Sequence, residues 1–233
     1  MQKGIFTLKK TFLLLFILNI FNISAQNGTD NLGSWFALNG TNMISKKFSW
    51  HTEAQFRYFE FVDKFNQTLL RTGINYHFSK KSSVTAGYAY IDTAPYNRVN
   101  DLLKSTENRI YEQFILRNNL GKFSFRHRYR LEQRWISSSG STSLFNRFRY
   151  NLQVTYPIAD KWKLIVFDEI MINFEPDLFN QNRFFAGFAY IPRNYIAFQL
   201  GYLKNHFIDK NFDRISLTVA FKTDFIANAL KKN

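Results

Sequence analysis

The chain contains no cysteine, which excludes a disulfide framework and a thiolate metal site. It has only four histidines, and they show no metal-ligand spacing. A phosphate-binding glycine loop and a nucleophile elbow are likewise missing. After Ala25 no stretch is apolar enough for a transmembrane helix. Acidic residues are scarce, with 17 Asp and Glu against 31 Lys and Arg, a formal charge of +14. Aromatic residues are abundant, at 18% of the chain, while the mean hydropathy is only −0.28. That combination fits a membrane β-barrel, because only one face of each strand must be compatible with lipid.

The N-terminus reads as an export signal. Lys3, Lys9 and Lys10 precede an apolar run from Thr11 to Ile23, and Ser24-Ala25 offers small residues before Gln26. The run is shorter than the roughly 20 residues a spanning helix needs. The expected organisation is a cleaved signal peptide over 1–25, an outer-membrane β-barrel over 26–225 and a short periplasmic tail over 226–233. Removing the three lysines takes the formal charge from +14 to +11, a balance that suits anionic surfaces such as lipid headgroup phosphates. Export, together with lipid-facing strands, disfavours nucleic acid as a partner.

The segment Phe123–Trp135 shows the governing pattern. Phe123, Phe125, His127, Tyr129, Leu131 and Trp135 alternate with Ser124, Arg126, Arg128, Arg130, Glu132 and Arg134, and only Gln133 breaks the apolar series. A period of two is a β-strand. Lipid on one side and an enclosed polar lumen on the other account for both faces. Comparable strands are expected at Phe48–Phe61, Thr68–Phe78, Ser83–Ile91, Arg109–Leu120, Phe145–Tyr156, Trp162–Asn173, Arg183–Ile191, Tyr195–Leu203 and Phe212–Lys222. Short turns at Ser79–Ser82, Gly121-Lys122, Pro157–Lys161 and Pro192–Asn194 alternate with longer loops through Thr93–Asn108, Ile136–Leu144, Phe174–Asn182 and Lys204–Asn211. Short periplasmic turns and long external loops are the habit of outer-membrane barrels, so the strand from Phe48 is expected to run outward. Leu32–Thr41 looks like a further strand that would run inward, although the N-terminus should begin in the periplasm. Either the stretch from Gln26 adds a short extra strand that makes twelve, or this segment lies in or under the barrel. The fold class is therefore all-β: a transmembrane antiparallel up-and-down β-barrel of about ten to twelve strands.

Lipid-facing positions include Trp50, Phe56, Leu70, Ile74, Tyr88, Tyr150, Phe188, Leu200 and Leu217. Trp50, Tyr76, Tyr156, Trp162, Tyr190 and Phe221 fall at periplasmic strand ends as a lower aromatic girdle. In Asp168-Glu169 strict alternation would turn one acid to lipid, and a β-bulge that brings both inward is expected.

The segment Arg126–Trp135, with Phe145-Asn-Arg-Phe-Arg-Tyr after it, resembles the bacterial family called domain of unknown function 2490. Arg128-Tyr-Arg-Leu-Glu-Gln-Arg134 is its most recognisable stretch, and Glu169 and Asn182-Arg183 ahead of Gly187 are also similar. The resemblance spans about Trp35 to Phe221. It implies an outer-membrane barrel and carries no activity.

Twelve arginines are assigned to the lumen: Arg57, Arg71, Arg109, Arg117, Arg126, Arg128, Arg130, Arg134, Arg147, Arg149, Arg183 and Arg214, facing Glu53, Glu132 and Glu169. An ion-pair network filling a narrow barrel is one outcome, since the arginine fork satisfies several acceptors at once. The other is an anion-attracting external vestibule of Arg57, Arg71, Arg109, Arg134, Arg147, Arg149, Arg183 and Arg214 with Glu132 and Glu169, reinforced by Lys104 and Arg98. The expected role is non-enzymatic, a scaffold or partner-binding component. A narrow anion-selective channel of porin-like kind is the alternative. Outer-membrane lipid including lipopolysaccharide, small anions or another envelope protein are the expected partners, and no cofactor is implied. A lipid hydrolase is the remote reading, resting on the His-x-Ser spacing of His77 and Ser79. His127 lies on the apolar face, and His51 shares a lumen face with Glu53 as a hydrogen-bonded pair.

Overall fold

The computed structural model describes residues 31–96, 104–174 and 177–225. The expected signal peptide, the expected tail and Arg98 lie outside the described residues. Eleven strands follow one another in sequence order: β1 Gly33–Met43, β2 Phe48–Glu60, β3 Asp63–His77, β4 Ser82–Thr93, β5 Ser105–Leu120, β6 Phe123–Ser138, β7 Ser141–Ala159, β8 Trp162–Asn173, β9 Phe179–Arg193, β10 Ile196–His206 and β11 Asn211–Asp224. Each pairs with the next, and β1 closes the barrel against β11. Because the number is odd, that closing seam is parallel, running from Gly33↔Arg214 to Met43↔Asp224. The consecutive pairs are antiparallel. Gly33 and Asp224 therefore lie at opposite rims. Closure removes every exposed sheet edge, the condition for spanning lipid with strands.

The strands are longer than the hydrophobic alternation suggests. β6 and β7 pair to their tips, Ser138↔Ser141, so the expected loop Ile136–Leu144 is a hairpin with a two-residue turn. Ser139 and Gly140 there have φ of 51° and 80°, the two positive values a primed turn needs. Lys204–Asn211 shrinks likewise to a four-residue turn between β10 and β11. The ladder continues past the point where lipid demands an apolar face, so polar residues such as Ser137 and Thr142 hide the strand from a hydrophobicity reading. The longest connection joins β4 to β5 and the next longest joins β8 to β9, both at one rim. That end is the long-loop rim, and the opposite end, with Gly121-Lys122 and Asp160-Lys161, is the short-turn rim.

The outer surface is an apolar belt carrying Leu38, Phe56, Leu70, Ile74, Ile110, Phe188 and Leu200, all exposed. At the short-turn rim the aromatic girdle is continuous in places. Ring centroids lie 5.1 Å apart for Phe48–Tyr76, 5.0 Å for Phe123–Tyr156 and 4.9 Å for Trp162–Tyr190, within the range of favourable ring pairs.

Asp168 departs from expectation. The ladders of β8 pass through Asp168 and Glu169 without a shift, and the irregularities fall instead at Pro157/Ala159 and Met171/Ile172. With no bulge, Glu169 turns into the lumen and Asp168 faces outward, where Asn182 donates to its two oxygens at 3.0 and 3.1 Å. A cross-strand amide thus replaces the expected backbone distortion. Asp168 sits near the middle of β8, where a lipid-facing carboxylate costs stability. Asp168→Asn keeps an acceptor for Asn182 and removes the charge. It should raise the thermal midpoint of the heat-modifiable gel shift, by roughly 1 kcal/mol in stability; a lowered midpoint would mean that the carboxylate is held by something other than Asn182.

Candidate functional site

Alternation places the polar face of each strand inside. A cavity of about 770 Å³ runs through the lumen, and all twelve arginines assigned from the sequence line it. So do Glu53, Glu107 and Glu169. Glu132 is buried among the same side chains at 1% exposure. Twelve arginines against four glutamates leave an excess of eight positive charges on the wall.

The network is built around two glutamates. Glu132 Oε2 accepts from Arg147 Nε at 2.9 Å and Nη2 at 2.6 Å, while Oε1 accepts from Arg149 Nη1 at 2.8 Å and Arg109 Nη1 at 3.2 Å. Arg130 Nη1 approaches Oε1 at 3.5 Å as a charge contact without hydrogen-bond geometry. Arg149 then reaches Glu169 with Nε at 3.0 Å and Nη2 at 2.9 Å, and Arg128 adds a 2.5 Å contact. Arg183 lies 3.5 Å from Glu169 and donates to Asn205 at 2.8 Å. Arg149 is the tie between the two carboxylates. The two-pronged donation from Arg147 and Arg149 fixes direction as well as charge.

Two further acids complete the lattice. Glu107, on the portion of β5 that falls within the expected loop Thr93–Asn108, accepts from Arg109 at 2.6 Å and from Arg134 at 2.8 and 2.9 Å. Glu53 accepts from Arg71 at 2.7 Å and pairs with His51 at 3.1 Å, and Gln55 also donates to it. Of the arginines assigned to the external vestibule, Arg71, Arg109, Arg134, Arg147, Arg149 and Arg183 are each tied to a glutamate. Arg57 and Arg214 use neutral partners instead. Arg57 bonds Gln67 and Gln55 and stacks 3.6 Å over Trp35, and Arg214 bonds the Tyr58 carbonyl and Asn66.

Tyr111 was not distinguished from the sequence, yet it organises one wall. It is fully buried, with Arg130 and Arg71 at 4.9 and 5.5 Å from its ring centroid. Its ring lies over the cross-strand pair Gly73↔Gly87 so closely that a Cβ on Gly87 would meet ring carbons at 2.6 Å. Two glycines on neighbouring strands are the signal that could have found it, because an inward large ring beside them fills the missing side chains. The opposite wall is less polar: Trp35, Ile165, Phe185, Ala189 and Leu203 form an internal apolar cluster.

The hydrolase spacing does not assemble. His77 Nε2 lies 2.8 Å from the hydroxyl of Ser49, which also accepts from Asn75 at 2.9 Å. Ser79 is exposed in the turn and bonds the hydroxyl of Ser82. Ser49 is fully buried, while His77 and Asn75 line the lumen cavity. His127 is on the outer face, between Tyr150 at 2.9 Å and Asn118 at 3.1 Å.

A closed barrel with an apolar outer belt, an aromatic girdle and a buried arginine–glutamate lattice is an outer-membrane β-barrel, and the bacterial outer membrane is its location. The chain belongs to the family described as "Protein of unknown function (DUF2490)", whose model matches residues 32–216. Among solved structures it is similar to the translocator domain of the autotransporter NalP from Neisseria meningitidis, with 11% identity over 72% of each chain and a TM-score of 0.44. It is also similar to LpxR from Salmonella typhimurium, with 10% identity over 74% of this chain and 83% of that one and a TM-score of 0.40. No curated protein sequence matches.

Proposed function

We propose that this chain is a non-enzymatic outer-membrane barrel whose lumen is mostly filled by side chains and whose work is done at its rims, as a scaffold or partner-binding component. The observation that supports it is the lattice around Glu132 and Glu169, which ties five strands, β5 to β9, into one cross-linked wall. The remaining cavity is about 770 Å³. Spread over a hydrophobic height of about 25 Å, that is a passage only a few waters wide.

A second reading, a narrow anion-selective channel, is favoured by two observations. The cavity is lined from both ends of the strands, by His77 and Arg117 at one and Lys210 and Phe212 at the other, and its wall carries excess positive charge. Reconstitution in planar bilayers under a salt gradient separates the readings. The closed barrel gives no steady conductance. Steady current reversing towards the chloride potential, and reduced by Arg149→Ala or Arg183→Ala, would establish the channel. In lipid vesicles the same preparation should release no fatty acid from phospholipid. Release lost in Ser49→Ala or Ser79→Ala would overturn the non-enzymatic reading.

A further inference from the structure

Three pairs of arginines face each other directly across the β5–β6–β7 ladders. These are Arg109↔Arg134, Arg130↔Arg149 and Arg117↔Arg126. Like charges in opposed positions destabilise a sheet unless something bridges them. Glu107 bridges the first pair, accepting from both members. Glu132 bridges the second, 2.8 Å from Arg149 and 3.5 Å from Arg130. The third pair has no such carboxylate. Among the described residues Arg117 and Arg126 form no ion pair and no side-chain hydrogen bond, although both line the cavity. The lumen acids are paired elsewhere: Glu53, Glu107, Glu132 and Glu169 are each held by the partners given above.

We propose that the space between Arg117 and Arg126, at the short-turn mouth of the lumen, is a binding site for a phosphate-class oxyanion, which takes the position that glutamate holds in the other two pairs. Two adjacent guanidinium forks offer several N–H donors and two full charges, which match a doubly charged tetrahedral oxyanion better than a single carboxylate. Arg128, next on the same face, carries a buried Nε without a partner. Access is from the water side of the mouth, where Arg117 is exposed and the turn lysines Lys81 and Lys122 raise the local anion concentration. The guanidinium groups line the lumen, so headgroups of the surrounding bilayer are out of reach and the oxyanion comes from solution. The uncompensated charge of this barrel thus gathers at the short-turn end, where Arg117 and Arg126 lie, as well as at Arg57 and Arg214 near the long loops.

The test is calorimetric titration of the folded barrel, in a neutral detergent at low ionic strength, with inorganic phosphate, using chloride as the reference anion. Saturable binding of phosphate is expected, weakened about tenfold or more by Arg117→Gln and by Arg126→Gln. Lys210→Gln, at the other end of the cavity, should leave it unchanged. Heat-modifiable gel migration reports whether each variant is folded. As a second readout, phosphate should raise the thermal midpoint of the wild type. Arg117→Glu, which supplies the missing carboxylate to Arg126, should raise it without phosphate and abolish the phosphate response. Phosphate heats equal to those of chloride, or phosphate binding unaffected by Arg126→Gln, would overturn the assignment.

Discussion

Glu132→Ala should leave the barrel folded poorly or not at all, the largest effect expected of any lumen substitution. Four hydrogen bonds from Arg109, Arg147 and Arg149 end on this carboxylate, and Arg130 contacts it as well. The side chain is buried. Removing it leaves guanidinium groups enclosed without their counter-ion, a change that costs about 3–5 kcal/mol where one member of a buried pair is lost. Here several cations lose the same partner. Glu132→Gln keeps the shape and one strong acceptor, so it should fall between wild type and alanine. The measurement is the urea midpoint of folding into detergent micelles, followed by gel shift. An alanine variant within about 1 kcal/mol of wild type would show that water or ions already screen these arginines, and the cross-linked wall would lose its basis.

The same residue shows what the sequence could and could not carry. Glu132 lies in the alternating run from Phe123 to Trp135, and period two alone places it inward with Arg126, Arg128, Arg130 and Arg134. The direction of each side chain is a local property of a strand, so the lumen arginines and the belt residues were legible. Partners were not. Which arginine meets Glu132 depends on the register between β6 and β7, and on β8 offering Glu169 within reach of Arg149. Glu107 was missed because β5 continues four residues beyond its apolar alternation, to Ser105. The strand count was open for a related reason. The strand at Leu32–Thr41 was visible, but its partner is β11, nearly the whole chain away, and no local pattern announces a parallel closing seam. His77 meets Ser49 rather than Ser79 because the ladder of β2 and β3 brings distant residues together, while a turn holds Ser79 outside.

Substitution of Gly87 by valine should be the next most damaging change, and its mechanism differs. Gly87 and Gly73 oppose each other on β4 and β3. They leave room on the inner wall for the ring of Tyr111, which lies between Arg71 and Arg130. A Cβ at Gly87 would come within 2.6 Å of two ring carbons and 2.4 Å of the Thr72 carbonyl oxygen, so both the ring and the backbone must move. Overpacking of this kind costs about 1–3 kcal/mol, and displacement of the ring also removes the surface on which the two arginines rest, at about 0.5–2 kcal/mol each. The cost should depend on Tyr111. In a double-mutant cycle with Tyr111→Ala, the penalty of Gly87→Val should shrink by at least about 1 kcal/mol, because only the clash with the backbone remains. Additive penalties in the cycle would mean that the ring is free to move aside, and Tyr111 would then be a passive filler of the lumen and no support for the arginine lattice.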